Sequence, residues 1–223
     1  MTRIRRVILD VDGTLVDSND VHTHAWVEAL AQHGYDISFE RIRSLIGKGG
    51  DKVLPETTGL EKDSDEGKAI SKQRSEIFRT KYLPTLKAFP RVHELLQHMH
   101  DQGLKIVVAS SAEKQELDAL LEVAGATELV EQKTSSQDAK NSKPDPDIVD
   151  VALKHTGLQA GEMIMLGDTP YDLEAATKAG VATIALRCGG WDTPDLQGAK
   201  AIYDDPADLL AHYDDSPLGS IIR

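Results

Sequence analysis

The sequence predicts an α/β fold: a doubly wound parallel sheet with an all-helical segment inserted after its first strand. Three observations point there. Through the second half of the chain, short apolar runs alternate with helical stretches of about ten residues, the pattern of βαβ units. The first apolar run, Val7-Ile8-Leu9, stands far from the next, across a long stretch with helical periodicity only. Several runs end in polar residues, at the carboxyl ends of strands where open α/β sheets bind ligands.

Taken in order, Val7 to Leu9 reads as a strand buried on both faces, because it is continuously apolar and stops at a turn signal. A helix starts near Asp17-Ser18, with Val21, Ala25 and Ala29, and Trp26 and Leu30, four residues apart, and Gly34 ends it. Ser38 caps a second helix carrying Phe39, Ile42, Leu45 and Ile46, which Gly47-Lys48-Gly49-Gly50-Asp51 interrupts. Glu61 to Lys81 is densely charged, with Ile70, Ile77 and Phe78 spaced for one buried face, so it reads as a solvated helix. Such a span far exceeds an ordinary crossover. The expectation is a helical cap over residues 17–84, hinged near Val16-Asp17 and Leu83-Pro84, inserted in a core made of residues 1–16 and 85–223.

The core then alternates. Helices are expected at Pro90–Gln102, Glu113–Val123, Pro146–His155 and Pro170–Ala179. Strands are expected at Leu104–Ala109, Glu128–Val130, Met163–Leu166 and Val181–Leu186. Lys133 to Lys140 reads as a polar loop.

Composition narrows the function. Lys and Arg number 25 against 37 Asp and Glu, a net charge of −12, which argues against nucleic acid and anionic membranes as partners. No apolar run approaches the ~20 residues of a membrane helix. Met1-Thr2-Arg3-Ile4 leads straight into the first strand without a signal-peptide stretch. The single cysteine, Cys188, forms no internal disulfide and suits a reducing compartment, so a cytoplasmic location is expected. Cys188 itself reads as a packing residue. His93, His98 and His100 share a helix but have no cysteine beside them, and read as solvated rather than as a zinc site.

The chemistry concentrates at strand ends. Asp10 and Asp12 follow the first strand two residues apart, so both carboxylates can face one small volume. Anions that close repel unless one is protonated or a cation lies between them, which suggests a divalent metal and separate roles for the two acids. A calcium loop counted from Asp10 would need Gly and Glu where Leu15 and Val21 stand. Ser110 follows the second strand and offers a hydroxyl and an N–H at a helix start, a seat for a phosphate oxygen; with Ser111 it also suits an ordinary N-cap. Lys143 precedes a helix among acids and prolines, where it could neutralise carboxylates and a bound anion. Asp168 ends an apolar strand as Asp10 does, and Asp172 lies in the helix start that follows, where both could also serve as capping acids.

With these segments in this order, the sequence resembles the haloacid dehalogenase superfamily of phosphohydrolases from Arg6 to about Leu186. Asp10-Val11-Asp12-Gly13-Thr14 is similar to its first motif, Ser110 to the second, Lys143 to the third, and Gly167-Asp168 through Asp172 to the fourth. The resemblance implies a Rossmann-like core with a small helical cap and a magnesium-dependent phosphatase acting on a small phosphorylated metabolite, as a monomer or homodimer. It implies Asp10 as the nucleophile that forms an aspartyl-phosphate, and Asp12 as proton donor and then acceptor. It further implies Mg2+ held by Asp10, the backbone carbonyl of Asp12 and Asp168, with Asp172 close by, and Ser110 and Lys143 on the phosphoryl oxygens, Ser111 beside them. The Gly47–Gly50 loop would bring Lys48 toward the leaving group. Asp12 sets the chain apart from the dehalogenating and phosphonate-cleaving branches, which lack that acid. His22, Ala25 and Trp26 resemble the cap helix of the β-phosphoglucomutase-like branch, including a histidine over the active site. That branch, however, has Ser-Arg where Gly49-Gly50 stand here, so mutase is the second reading and phosphoglycolate phosphatase another. A catalytically silent metabolite-binding protein is the non-enzymatic alternative.

Overall fold

The computed structural model describes residues 3–219; Met1 and Thr2, expected to lead into the first strand, and residues 220–223 lie outside it. Six parallel strands form one sheet: β1 (Arg6–Leu9), β2 (Lys105–Ala109), β3 (Val130–Thr134), β4 (Met163–Gly167), β5 (Ala182–Leu186) and β6 (Ala201–Tyr203), in the order β3-β2-β1-β4-β5-β6. β1 is therefore central, with Val7 opposite both Ile106 and Ile164. Successive strand residues face opposite ways, and this splits the core. Val7, Leu9, Ile106 and Val108 pack on α5 (Val92–Asp101) and α6 (Lys114–Val123), through Leu95, Leu96, Met99, Leu117 and Leu121. Ile8, Val107 and Met165 face the other way, onto Ile148 and Val149 of α7 (Asp147–Thr156) and Ala175 and Ala176 of α8 (Pro170–Lys178). Helices on both faces make this the doubly wound α/β architecture that the alternation predicted.

Between β1 and α5 the described elements are helical: α1 (Asn19–Gln32), α2 (Phe39–Arg43), α3 (Gly50–Thr58), α4 (Asp65–Ile77), a π-helical turn at Phe78–Tyr82 and a 3-10 turn at Leu83–Thr85. Ala25, Ala29 and Leu30 of α1 and Ile70 of α4 are fully buried, as is Phe78 after it. The chain leaves and re-enters the sheet region by adjoining segments: the Asp17 N–H donates to the Lys87 carbonyl at 3.1 Å, and the Phe89 N–H to the Leu15 carbonyl at 2.9 Å.

Several boundaries differ from expectation. β3 spans Val130–Thr134 rather than Glu128–Val130, so Lys133 and Thr134 belong to an edge strand and not to a polar loop. Its alternation of exposed and half-buried residues explains its polar composition. α3 begins at Gly50, inside the stretch read as an interruption, and accommodates Pro55. α4 begins at Asp65, capped by Ser64, not at Glu61. β6 and α9 (Pro206–Ala211) extend the sheet and its cover beyond the predicted elements. No helix among the described residues is long and apolar enough to cross a membrane.

Candidate active site

The ends of β1 and β4, the loop before α7 and the start of α8 bring four acids and a lysine together. The Asp10 N–H extends the sheet by donating to the Leu166 carbonyl at 2.9 Å, which fixes the backbone just as β1 stops. The Asp10 carboxylate is nearly buried, and its Oδ1 accepts from Lys143 Nζ at 2.7 Å. Lys143, also buried, donates at 2.7 Å to Asp172 Oδ1 as well. Asp172 is fixed by a reciprocal cap at the start of α8: its Oδ2 accepts from the Thr169 N–H and hydroxyl. Asp168 is clamped by Thr14 Oγ1 at 2.8 Å on one oxygen and by Asn19 Nδ2 at 2.9 Å on the other.

The turn after Asp12 needs glycine. Gly13 has φ +71°, and a Cβ there would lie 2.1 Å from Asn19 Nδ2 and 2.3 Å from Asp168 Oδ2.

Charge in this cluster is unbalanced. Side-chain oxygens of Asp10, Asp168 and Asp172 lie within 4.8 Å of one another, with Lys143 as the ammonium bonded between two of them. Burial pushes the Asp10 carboxyl well above its ordinary value; Lys143 opposes the rise, while Asp172, Asp168 and Asp12 add to it. Burial, reinforced by Asp172, raises Asp168 to about 7. Burial alone would lower the Lys143 ammonium, but Asp10 and Asp172 hold it above its ordinary value. With all three carboxylates ionised, the one ammonium would leave two negative charges unbalanced in a site of oxygen donors, which fits a hard divalent cation such as Mg2+. Asp172 has both oxygens engaged by Lys143 and Thr169, so it suits a supporting place beside Asp10 and Asp168.

Asp12 lives in a different environment. Its Oδ1 accepts from Ser18 Oγ and meets His22 Nε2, each at 2.6 Å. The other ring nitrogen, His22 Nδ1, faces Arg74 Nη2. A guanidinium has no lone pair to offer, so Nδ1 is the acceptor and Nε2 carries the proton given to Asp12. The His22 ring stacks on Phe78, with centroids 4.2 Å apart, and Arg74 Nη1 donates to Glu116 at 2.7 Å. Burial would raise the Asp12 carboxyl, yet His22, the Ser18 bond and the Arg74 charge hold it below its ordinary value. Two acids two residues apart are thus driven in opposite directions. Such a split is the arrangement that separate roles for two acids require.

The remaining expected residues are placed as follows. Ser110 is buried; its N–H donates to the Thr134 carbonyl, which corrects the expectation of a free N–H there. Its oxygen accepts from the Ala112 N–H at 3.0 Å. Ser111, Lys143, Asp10 and Asp12 all line one cavity of about 80 Å3, roofed by the Gly47–Gly50 loop. Lys48 lines it too, but its ammonium is held by Glu56 at 2.7 Å over the Tyr171 ring. Arg74 and Glu116, which the sequence reading did not single out, stand in the same wall. Arg74 lies four residues after Ile70 and four before Phe78, so a cation on the buried face of a charged helix was the available signal. Cys188 is half-buried, donates weakly to the Gly13 carbonyl, and burial raises its thiol above the ordinary range, in keeping with packing.

Comparison with known proteins places this arrangement. The family model for haloacid dehalogenase-like hydrolases matches residues 7–186. The "Probable phosphatase IndB" of Dickeya dadantii is 32% identical over 87% of this chain and 86% of its own length. The N-acetylmuramic acid 6-phosphate phosphatase of Pseudomonas putida is 26% identical over 97% of this chain and 99% of its own. Among solved structures, a hydrolase from Pseudomonas syringae superposes with a TM-score of 0.87 at 29% identity, covering 95% of this chain and 98% of that one.

Proposed function

Because this chain belongs to the haloacid dehalogenase-like hydrolases, we propose that it is a magnesium-dependent phosphatase that cleaves a small phosphate monoester through Asp10. The observation that carries the reading is the opposed environments of Asp10 and Asp12. Asp10 sits among acids beside a lysine, and Asp12 is held by a separate His22–Arg74–Glu116 chain.

In this scheme a carboxylate oxygen of Asp10 attacks phosphorus, the ester P–O bond breaks, and an aspartyl-phosphate forms on Asp10. Asp12 gives its proton to the departing alkoxide oxygen. A phosphoryl anion arriving beside Asp12 raises the proton affinity of that carboxylate, so the acid form is reached in the complex although the free site holds it ionised. Asp12 then takes a proton from the water that attacks the phosphorus of the intermediate, releasing phosphate and restoring Asp10. Lys143 and the hydroxyls of Ser110 and Ser111 serve the phosphoryl oxygens, whose negative charge must be offset through both transfers. Asp10, the Asp12 carbonyl and Asp168 would hold Mg2+, supported by Asp172, and the bound cation would supply charge neutralisation that keeps Asp10 ionised and the phosphoryl group in place. Residues 17–84 act as a cap whose Gly47–Gly50 loop and α4 close the leaving-group side, while residues 1–16 and 85–223 hold the reacting groups. The composition of this loop favours hydrolysis over a mutase: it carries no arginine to clamp a second phosphate, and Glu56 engages Lys48.

Hydrolysis of p-nitrophenyl phosphate by the purified chain tests the reading. Turnover should need added magnesium, vanish after chelation, and fall at least about a thousandfold in Asp10→Asn. Interconversion of glucose 1-phosphate and glucose 6-phosphate without phosphate release would replace hydrolase by mutase. No metal-dependent turnover of any ester would leave the silent binding protein.

A further inference from the structure

The chamber of about 80 Å3 over Asp10 and Asp12 borders a larger groove of about 400 Å3. The two share Lys62, Ser71, Ser75 and Glu113, so a leaving group threaded out of the chamber runs into the groove. One wall of that groove is a single face of α4 and the turn after it, since Lys68, Ser71, Lys72, Ser75 and Arg79 recur at three- and four-residue spacing. Four cations line it: Lys62, Lys68, Lys72 and Arg79. The neighbouring ion pairs are Arg74–Glu116 and Lys81–Glu28, and among the described residues none of the four takes part in one. Asp63, Glu76 and Glu113 also border the groove without engaging them. In a protein of net charge −12, four unpaired cations against three acids give this groove a small net positive charge, a local reversal of sign. Ser71 Oγ at the junction of the two spaces and Arg74 Nε in the chamber wall are buried without a hydrogen-bond partner, and both can donate.

We propose that this groove receives a second anionic group on the leaving group of the substrate, so that the preferred ester carries a carboxylate or a further phosphate away from the scissile bond. Ser71 and Arg74 Nε give hydrogen bonds to acceptors on the linking atoms, and Lys62, Lys68, Lys72 and Arg79 attract the distal charge. The assignment rests on the phosphatase reading for its kinetic form, but its binding form stands apart from turnover.

The test compares three esters on a three-carbon frame: glycerol 3-phosphate with a neutral leaving group, 3-phosphoglycerate with a carboxylate, and glycerol 1,3-bisphosphate with a second phosphate. The full-length protein should prefer at least one anionic ester, in kcat/KM, by about tenfold or more, and the preferred one identifies the group. The double reversal Lys68→Glu with Lys72→Glu should cut the ratio of kcat/KM between that ester and glycerol 3-phosphate by about tenfold, the order expected when exposed attractions become repulsions. Raising the salt should shrink the same ratio. Affinities of the three compounds for Asp10→Asn, measured by calorimetry, should rank in the same order. Glycerol 3-phosphate used and bound as well as both anionic esters, or a ratio untouched by the charge reversal, would overturn the groove assignment. Preferential binding without hydrolysis of any ester would overturn the phosphatase reading and leave the groove standing.

Discussion

At the scale of single residues, the site works by giving identical side chains different surroundings. Asp12 is the clearest case, since His22 reaches it with a ring whose other nitrogen is fixed by Arg74. Replacing His22 by alanine removes that donor. Asp12, still buried, then binds its proton more tightly, so the inflection that Asp12 contributes to the pH–rate profile should move to higher pH and kcat should fall roughly tenfold to a hundredfold. A pH–rate profile with no shifted inflection would show that His22 only fills space. Asp168 gives a prediction of opposite character. Its unfolded carboxyl titrates near 3.8 and its folded one near 7, so between those values the folded state keeps a proton that the unfolded chain has lost. Stability attached to this group is complete at low pH and declines as pH rises, by about 1.4 kcal/mol per unit within the window. Protein freed of divalent cations should therefore gain more in thermal midpoint from added magnesium at pH 7.5 than at pH 5. Equal gains at both would mean that the raised carboxyl is unconnected with cation binding.

At the scale of elements, the position of an acid at the end of a strand or the start of a helix decides whether it can be read from the chain. Asp10, Asp12, Asp168 and Asp172 were legible because each lies at the end of an apolar run or at the start of a helix, Lys143 because it is a cation among acids and prolines ahead of α7, and the sheet order sets β1 beside both β2 and β4. Arg74 and Glu116 were not, because they lie inside charged amphipathic helices, and only the packing of α4 and α6 around the cavity brings them together. The same limit applied to β3, whose edge position lets Glu131 and Lys133 face outward and hides the strand in a polar composition. It applied also to α3, where Gly50 and Pro55 argued locally against a helix that tertiary packing of Val53 and Leu54 sustains. Phe78 shows how packing and site are joined in one element. It is fully buried at the end of α4 and forms the floor on which the His22 ring stacks. Phe78→Ala should cost about 3–5 kcal/mol in denaturant unfolding and should lower kcat along with it. Loss of stability with full activity would separate the hydrophobic floor from the orientation of His22.

At the scale of the whole molecule, the helical insert and the sheet region meet around the cavity through contacts that surround the reacting groups. The Gly49 N–H donates to Ser142 Oγ at 3.0 Å, Lys52 pairs with Asp145 at 2.7 Å, Arg74 pairs with Glu116, and the Tyr171 hydroxyl donates to the Ser44 carbonyl. Lys52 and Gly49 thus grip the loop that carries Lys143, and α4 grips the helix that follows the Ser110-Ser111 turn. Under the proposed function, this arrangement would keep a phosphoryl group from water and leave the other end of the substrate to the groove beyond α4, with the chemistry assigned to the sheet and the choice of ester to the insert. All of it depends on Asp10 forming a bond to phosphorus. Acid-quenching the protein during turnover of a phosphate ester, followed by peptide mass spectrometry, reads that bond directly. One phosphoryl group on the peptide containing Asp10, absent from Asp10→Asn and absent without magnesium, is the predicted result. Sustained hydrolysis with no phosphorylated Asp10 at any quench time, or with the label on another residue, would contradict the account.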